Sequence, residues 1–426
     1  MRRFTVLLSL TLASAPLLAA EDPLIAPVEE KSASAWSWFG DLMLRYDRVT
    51  DIPRPVEPDI HAAFGRARLG VLYDPIPTLQ FGAAVKLAES SIDNSENRSY
   101  NLNERANDIA LDQAFVRWRP NDTASLLAGK AVFPLELSPM VWDGDLRPIG
   151  VSGQFAMPIG EFDHLGFTAG YFAGDLPYGD DSRIGALQAA YRWHEGAPTS
   201  GAVLLSYLDF SDLQQATLQG LTRTNRRVGT QLVSDYHLLD LQLVGRMHPW
   251  NEWPLELRVD LLRNVGADNL RDGARGSIVL GDRLQPHGWE FGLSAQRIQR
   301  DAAMAAFNSD DWWFHSFARG SMPWIAYGFT EHVNLQLAEA AAEGDELRLA
   351  ELLPGKTQQH VAVEGGADRG KGVFVERLRQ IDAVDFGAHQ RRDRGDIETN
   401  GDAHWRAPLL VTRRVAAGGR GCAIPI

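Results

Sequence analysis

Between residues 63 and 133 apolar and polar side chains alternate with a period of two, in three successive segments. In FGRARLGVLYD, Ala67, Leu69, Val71 and Tyr73 fall on one face, and Arg66, Arg68 and Gly70 on the other. A strand points successive side chains to opposite faces, so this segment is apolar on one side and strongly cationic on the other. FGAAVKLAES repeats the pattern, with Phe81, Ala83, Val85 and Leu87 opposing Gly82, Ala84 and Lys86. In LDQAFVRWRP, Ala114, Val116 and Trp118 oppose Gln113, Arg117 and Arg119. The links between segments are in turn tight (DPIPT), long and polar (90–107) and tight again (PNDT). One greasy and one charged face, with short turns and long loops in alternation, suits a barrel with lipid outside and water inside. A soluble sheet with a charged solvent face would carry the same pattern, and one strand alone does not separate the two.

Other parts of the chain favour the barrel. Arg2 and Arg3 precede an apolar run from Phe4 to Ala13, and small residues end at Ala19 and Ala20, which reads as a secretory signal peptide over 1–20. Residues 21–35 are rich in Pro and Glu and read as a periplasmic lead-in. No later apolar run reaches the roughly 18 residues that a membrane-spanning helix needs. Yet 45% of residues are hydrophobic, as expected where each lipid-facing side chain has a polar neighbour. The single cysteine, Cys422, excludes an intramolecular disulfide framework and a Cys-based zinc site. A formal net charge of −13 argues against a nucleic-acid partner and makes the arginine-rich faces a local concentration against the trend.

The fold expected is all-β, a transmembrane antiparallel barrel of sixteen strands over residues 36–353. The strands fall at about 36–47, 62–73, 79–89, 108–119, 124–134, 149–157, 164–174, 183–193, 200–209, 232–247, 254–264, 273–283, 288–299, 321–329, 334–341 and 346–353. With the N-terminus in the periplasm, the short linkers DPIPT, PNDT, PIGEFD, HEGAPT, PWNEWP, RLQPH and TEHV share the periplasmic side. The long ones lie outside; AEGD, before the last strand, is short yet external. The strand LVSDYHLLDLQLVGRM fits the two-faced rule worst. Residues 354–426 lose the alternation and end in GCAIPI, and read as an atypical extension, disordered or frame-altered.

No catalytic pattern is present: no G-x-S-x-G elbow, no H-E-x-x-H and no P-loop, so neither an enzyme nor a cofactor is expected. Asp175, Asp180 and Asp181 form an acidic run that reads as a solvated loop more readily than as a cation site. Function is expected in the lumen charges. Arg45, Arg66, Arg68, Lys86, Arg117 and Arg119 lie on the first four strands and would form one basic wall. The third external loop, LELSPMVWDGDLRP over 135–148, carries Glu136, Asp143 and Asp145. Folded inward, it would set these carboxylates across a narrow aqueous gap from the arginines, a transverse field that sets ion preference. The plainer alternative is that each arginine pairs with a neighbouring acid to satisfy the wall.

GDLMLRYDR, RARLGV, FGAAVKLAES, LDQAFVRWRP, LLAGKAVFPL and above all WDGDLRPIGV (142–151) resemble the putative porin family of Gram-negative outer membranes, and the likeness runs to about residue 353. The resemblance implies a sixteen-stranded-type barrel that sits in outer-membrane lipid and passes small hydrophilic solutes and ions. It further implies no cofactor and no reaction, with a homotrimer as a candidate assembly. A solute-specific uptake channel and a non-conducting structural or adhesive barrel are the alternatives.

Overall fold

A two-faced sheet that closes on itself leaves no unpaired edge and sets one face inside and the other outside. The computed structural model shows such a closure. It describes residues 35–50, 60–91, 108–174, 182–218, 222, 224–250, 253–309, 315–344 and 373–378. The strands are β1 (Trp36–Thr50), β2 (Ile60–Ile76), β3 (Leu79–Ser90), β4 (Asp108–Asn121), β5 (Ala124–Lys130), β6 (Ile149–Pro158), β7 (His164–Ala173), β8 (Arg183–Trp193) and β9 (Thr199–Ser211). A short helix α1 (Gln214–Leu218) and a two-stranded ribbon, β10 (Arg227–Val228) with β11 (Gln231–Leu232), follow. Then come β12 (Tyr236–Trp250), β13 (Trp253–Asn264), β14 (Asp272–Gly281), β15 (Trp289–Ile298), β16 (Ala318–Thr330), β17 (Val333–Gly344) and β18 (Val373–Leu378). All but the ribbon form one closed antiparallel barrel of sixteen strands, each paired with its chain neighbours and β1 with β18.

The alternation sets the two surfaces of the wall. Leu69, Phe81, Val85, Leu87, Leu205 and Leu293 are exposed on the outside, while their neighbours Arg66, Arg68, Ala84, Ser206 and Ser294 are buried on the inside. At the end that carries the short turns, aromatic rings gather on the outer surface. Trp36 stacks on Tyr73 at 4.3 Å, Trp289 meets Tyr327 at 4.8 Å and Trp253 stacks on Phe291 at 6.0 Å. Such rings suit a membrane–water boundary, being apolar in body and polar at one edge.

The structure departs from the sequence reading at three places. The expected strand at 346–353 lies outside the described residues, as do the signal peptide and all of the lead-in but its last residue. The strand that closes the ring is β18, within the segment set aside as an extension. Its six residues, VFVERL, are too few to stand out between glycine- and arginine-rich flanks. The strand expected at 124–134 stops at Lys130, because the chain then turns into the lumen. Finally, the ill-fitting strand, β12, is apolar on both faces near its start: Tyr236 and Leu238 are buried inside while Leu239 and Leu243 are exposed outside. The inward apolar residues have a partner that strand periodicity does not reveal, a set of loops folded into the barrel.

Candidate functional site: a loop across the lumen

On the wall formed by β1 to β4, alternation turns Asp41, Arg66, Arg68 and Lys86 inward, and Arg68 and Lys86 are directly paired in register. Asp112 joins them through a β-bulge: Ala84 pairs with Gln113 and Val85 with Leu111, so Asp112 is left without a partner on β3. A bulge re-aims one side chain, and here Asp112 and Gln113 are consecutive yet both buried. Arg68 Nε donates to Asp112 Oδ1 at 3.2 Å, and Arg147 Nε approaches Asp112 Oδ2 at 3.7 Å. Arg66 and Arg68 each lie 3.7 Å from Asp41.

The segment 131–148 supplies the rest. Arg66 pairs with Asp145, and Arg68 Nη2 donates to the same Asp145 oxygen at 3.3 Å. Burial opposes ionisation of Asp145, but the guanidinium groups of Arg66, Arg68 and Arg147 outweigh it and hold the carboxyl well below the usual carboxylate range. The aqueous gap expected between this carboxylate and the arginines is therefore replaced by direct contact. The reason is length: the arginine side chains reach inward and the loop descends far enough to meet them.

The other end of the loop meets the far wall. Arg192 of β8 donates to Glu136 Oε2 at 2.7 Å, and Arg258 Nη1 of β13 lies 3.8 Å from Glu136 Oε1. The Glu136 carbonyl accepts from Gln242 Nε2 of β12 at 2.8 Å and also from Gln188 of β8. The Ser138 amide donates to Asp240 Oδ2 of β12 at 3.2 Å. Arg258 in turn donates to Asp260 Oδ1 at 2.8 Å. In the ring of sixteen, β2 and β12 stand eight places apart. The loop thus crosses the lumen between opposite walls, tied by Asp145 on one side and Glu136 with Ser138 on the other.

Much of the loop between and beside the ties is apolar. Phe133, Leu135, Met140, Val141, Trp142 and Leu146 pack against Phe172, Ile184, Leu208, Phe210, Leu238 and Leu262 of the wall, and against Ala302–Phe307 from the β15–β16 connection. Trp142 stacks between Phe133 at 4.2 Å and Phe307 at 5.7 Å. Asp143 is a turn-former here: its Oδ1 accepts from the Asp145 amide at 2.9 Å, and its own amide donates to the Phe307 carbonyl at 2.7 Å. A third segment locks on through the fully buried Asp301, which accepts from Arg226 Nε at 2.6 Å, Ser234 Oγ at 2.7 Å and Tyr236 Oη at 3.2 Å.

Arg45 and Arg117 also have contacts on the wall itself. Arg45 donates to Asp47 at 3.0 Å and lies over the Phe64 ring at 5.2 Å. Arg117 donates to Gln80 Oε1 at 3.1 Å, and Arg119 follows on the same face. Gln80 is six residues from Lys86 along β3, so the Arg117–Arg119 pair stands about 20 Å from the loop ties. The basic strip is therefore two groups at different depths. Arg192 and Arg258 were missed by reading the first four strands alone; their inward positions on two-faced strands, RIGALQAAYRW and WPLELRVDLLRN, were the available signal. Asp175, Asp180 and Asp181 lie outside the described residues.

Residues 55–197, about a third of the chain, match the family described as "Putative porin". Over that stretch the chain is similar to porins. The matched residues hold β2 to β8, the Asp112 bulge and the whole of the crossing loop. No curated protein matches the chain. Among solved structures it is similar to Pseudomonas putida OprB, at 11% identity over 82% of this chain and 93% of that one, with a TM-score of 0.48. Salmonella typhi OmpF, solved in complex with daunomycin, gives 10% identity over 81% and 96%, with a TM-score of 0.47. Rhodopseudomonas blastica porin variants give 11% identity over 82% and 100%, with a TM-score of 0.44.

Proposed function

We propose that this chain is an outer-membrane porin, a channel for passive diffusion of small hydrophilic solutes and ions, with a modest preference for anions. The observation that carries the reading is the porin-family segment that folds into the lumen of a sixteen-strand barrel and narrows it from wall to wall. A restriction of that kind selects by size and by the charges on its rim rather than by tight binding. Near the first wall four cations, Arg66, Arg68, Lys86 and Arg147, face three carboxylates, Asp41, Asp112 and Asp145. The excess is one charge, which supports a weak bias only. Arg117 and Arg119, deeper along the wall, add to it. The homotrimer implied by the resemblance is proposed as the assembly; cross-linking of the native membrane protein to a trimer is the expected result, and monomers only would remove it.

One observation favours a second reading, a barrel that does not conduct. Residues 302–307 are entirely buried, and three loop segments interlock inside the wall. The same experiment separates the two. Full-length protein in a planar bilayer under a salt gradient is expected to give stepwise currents and a zero-current potential shifted toward anions. A cation-side potential would remove the anion preference, and silence from heat-modifiable, folded protein would favour the plugged barrel.

A further inference from the structure

Most inward arginines of this barrel are met by carboxylates. Arg66, Arg68, Arg147, Arg192 and Arg258 each have one within 3.7 Å. Arg117 and Arg119, two residues apart on one face of β4, have none in contact among the described residues. The side-chain acceptor of Arg117 is the uncharged Gln80, and the Nε of each arginine is buried with no acceptor at all. Asp74 acts on Arg117 only at longer range. Ser125 of β5 adds a third orphan. It precedes Leu126, the register partner of Trp118, and so turns inward beside Arg119. The residue is 2% exposed and its Oγ has no partner. Its own register partner, Gln154, is engaged with the Pro134 carbonyl at 3.2 Å. Two guanidinium groups about 7 Å apart, at ~3.3 Å per residue, repel one another, and no acid is placed to relieve them.

Arg117 is also held in place. Its Cζ lies 5.4 Å over the Phe115 ring, and that ring covers Gly82 of β3, where a Cβ would collide with it. Gln80 and Phe115 thus fix the guanidinium before any solute arrives, and both arginines stay partly open to the lumen. We propose that Arg117, Arg119 and Ser125 form a binding site for a phosphate group at the short-turn end of the lumen, distinct from the ties of the crossing loop. A guanidinium presents parallel N–H donors that match two oxygens of a phosphate. The serine hydroxyl donates to a third oxygen. Two fixed positive charges with no carboxylate in contact match a doubly charged anion, whereas one carboxylate would neutralise only half of them. The inference rests on the channel reading above and deepens it by naming a solute class, small phosphate-bearing anions held briefly on their way through.

The test is calorimetric titration of full-length protein, folded in detergent, with inorganic phosphate and separately with glucose 6-phosphate. It is run at about pH 8, where the phosphate group carries close to two charges. Wild type is expected to give a saturable isotherm with at least one of them. Binding of both, or of either alone, supports the site and says whether the free ion or the ester is the solute. The double variant Arg117→Gln with Arg119→Gln is expected to bind on the order of 100-fold more weakly. Arg117→Lys with Arg119→Lys keeps the charge but loses the fork, and should fall between. Ser125→Ala should weaken binding severalfold. Arg246→Gln removes an inward arginine of β12 that Glu256 already pairs at 2.8 Å, and should match wild type. Equal affinity in the Gln double variant, or equal binding of succinate by wild type, would overturn the proposal. A matching loss in Arg246→Gln would also overturn it, by making the attraction a property of the whole lumen. Heat-modifiable migration reports folding of each variant; should the Gln pair not fold, the Lys pair and Ser125→Ala decide. Planar-bilayer current from the same preparations keeps the readings apart: a conducting barrel that binds no phosphate loses only this inference, and a silent one that binds it loses only the channel.

Discussion

Arg68 is 5% exposed and meets three carboxylates, two from the wall and one from the loop. That arrangement decides how the site can be probed. Reversing Arg66 and Arg68 to glutamate would set two new carboxylates against Asp41, Asp112 and Asp145, and misfolding would mask any change in selectivity. Removing the loop's charge is cleaner. Asp145→Asn keeps the shape and the wall acids but gives up charge-assisted hydrogen bonds worth about 1.5–3 kcal/mol each. The expected outcome is noisier current and a zero-current potential moved severalfold toward anions; an unmoved potential would mean that ions do not pass this carboxylate. The pH dependence follows from the same contacts. The folded Asp145 carboxyl titrates well below its unfolded value of about 3.9, so the tie's contribution is complete above that pH and lost only as pH falls further, through the depressed folded value. Current records at pH 7 and pH 4.5 are therefore expected to agree, and any gating between them would have to come from another group.

At the scale of the strand, glycines opposite aromatic rings hold the inner surface together. A Cβ added at Gly292 of β15 would lie 1.9 Å from the ring of Trp324 on β16, whose Nε1 donates to Glu290 Oε1 at 2.8 Å. Gly292→Ala must displace the ring and its hydrogen bond, an overpacking cost of about 1–3 kcal/mol. A lower temperature of heat-modified migration is expected, with conductance per open channel little changed. No such pairing can be read from the sequence, because it depends on register across two strands. The Asp112 bulge escaped for a related reason. Strict alternation would put Asp112 outside with Ala114, and only the slipped register of β4 against β3 turns it in. What alternation did convey was the face of nearly every other wall residue, including Arg66, Arg68, Arg117 and Arg258. It carried no information on where the loop would land. Glu136 and Asp145 are nine residues apart in sequence yet bind opposite walls, which only closure of the ring makes possible.

For the whole molecule, two kinds of apolar contact must be kept apart. Val259 is 44% exposed on the outer face of β13, whereas Leu262 of the same strand is buried inside, against the loops. Val259→Arg would put a charge into hydrocarbon at a cost of about 2–4 kcal/mol near the midplane. A smaller folded fraction in vesicles is expected, and full insertion would remove the lipid-facing assignment. The inner contacts serve a different end. Asp301 ties the β15–β16 connection to Arg226 and Ser234 of the segment before β12 and to Tyr236 of the wall, and the apolar cluster that this connection shares with the crossing loop includes Met304 and Phe307. Asp301→Asn keeps the size but removes the charge that holds Arg226, so the connection between β15 and β16 should loosen while the barrel wall stays paired. If this assembly narrows the passage, single-channel conductance will rise and fluctuate in the variant. If conductance and noise match wild type, ions travel along the side of the lumen away from the interlock, and the ties of Asp145 to β2 become the narrowest point left to test.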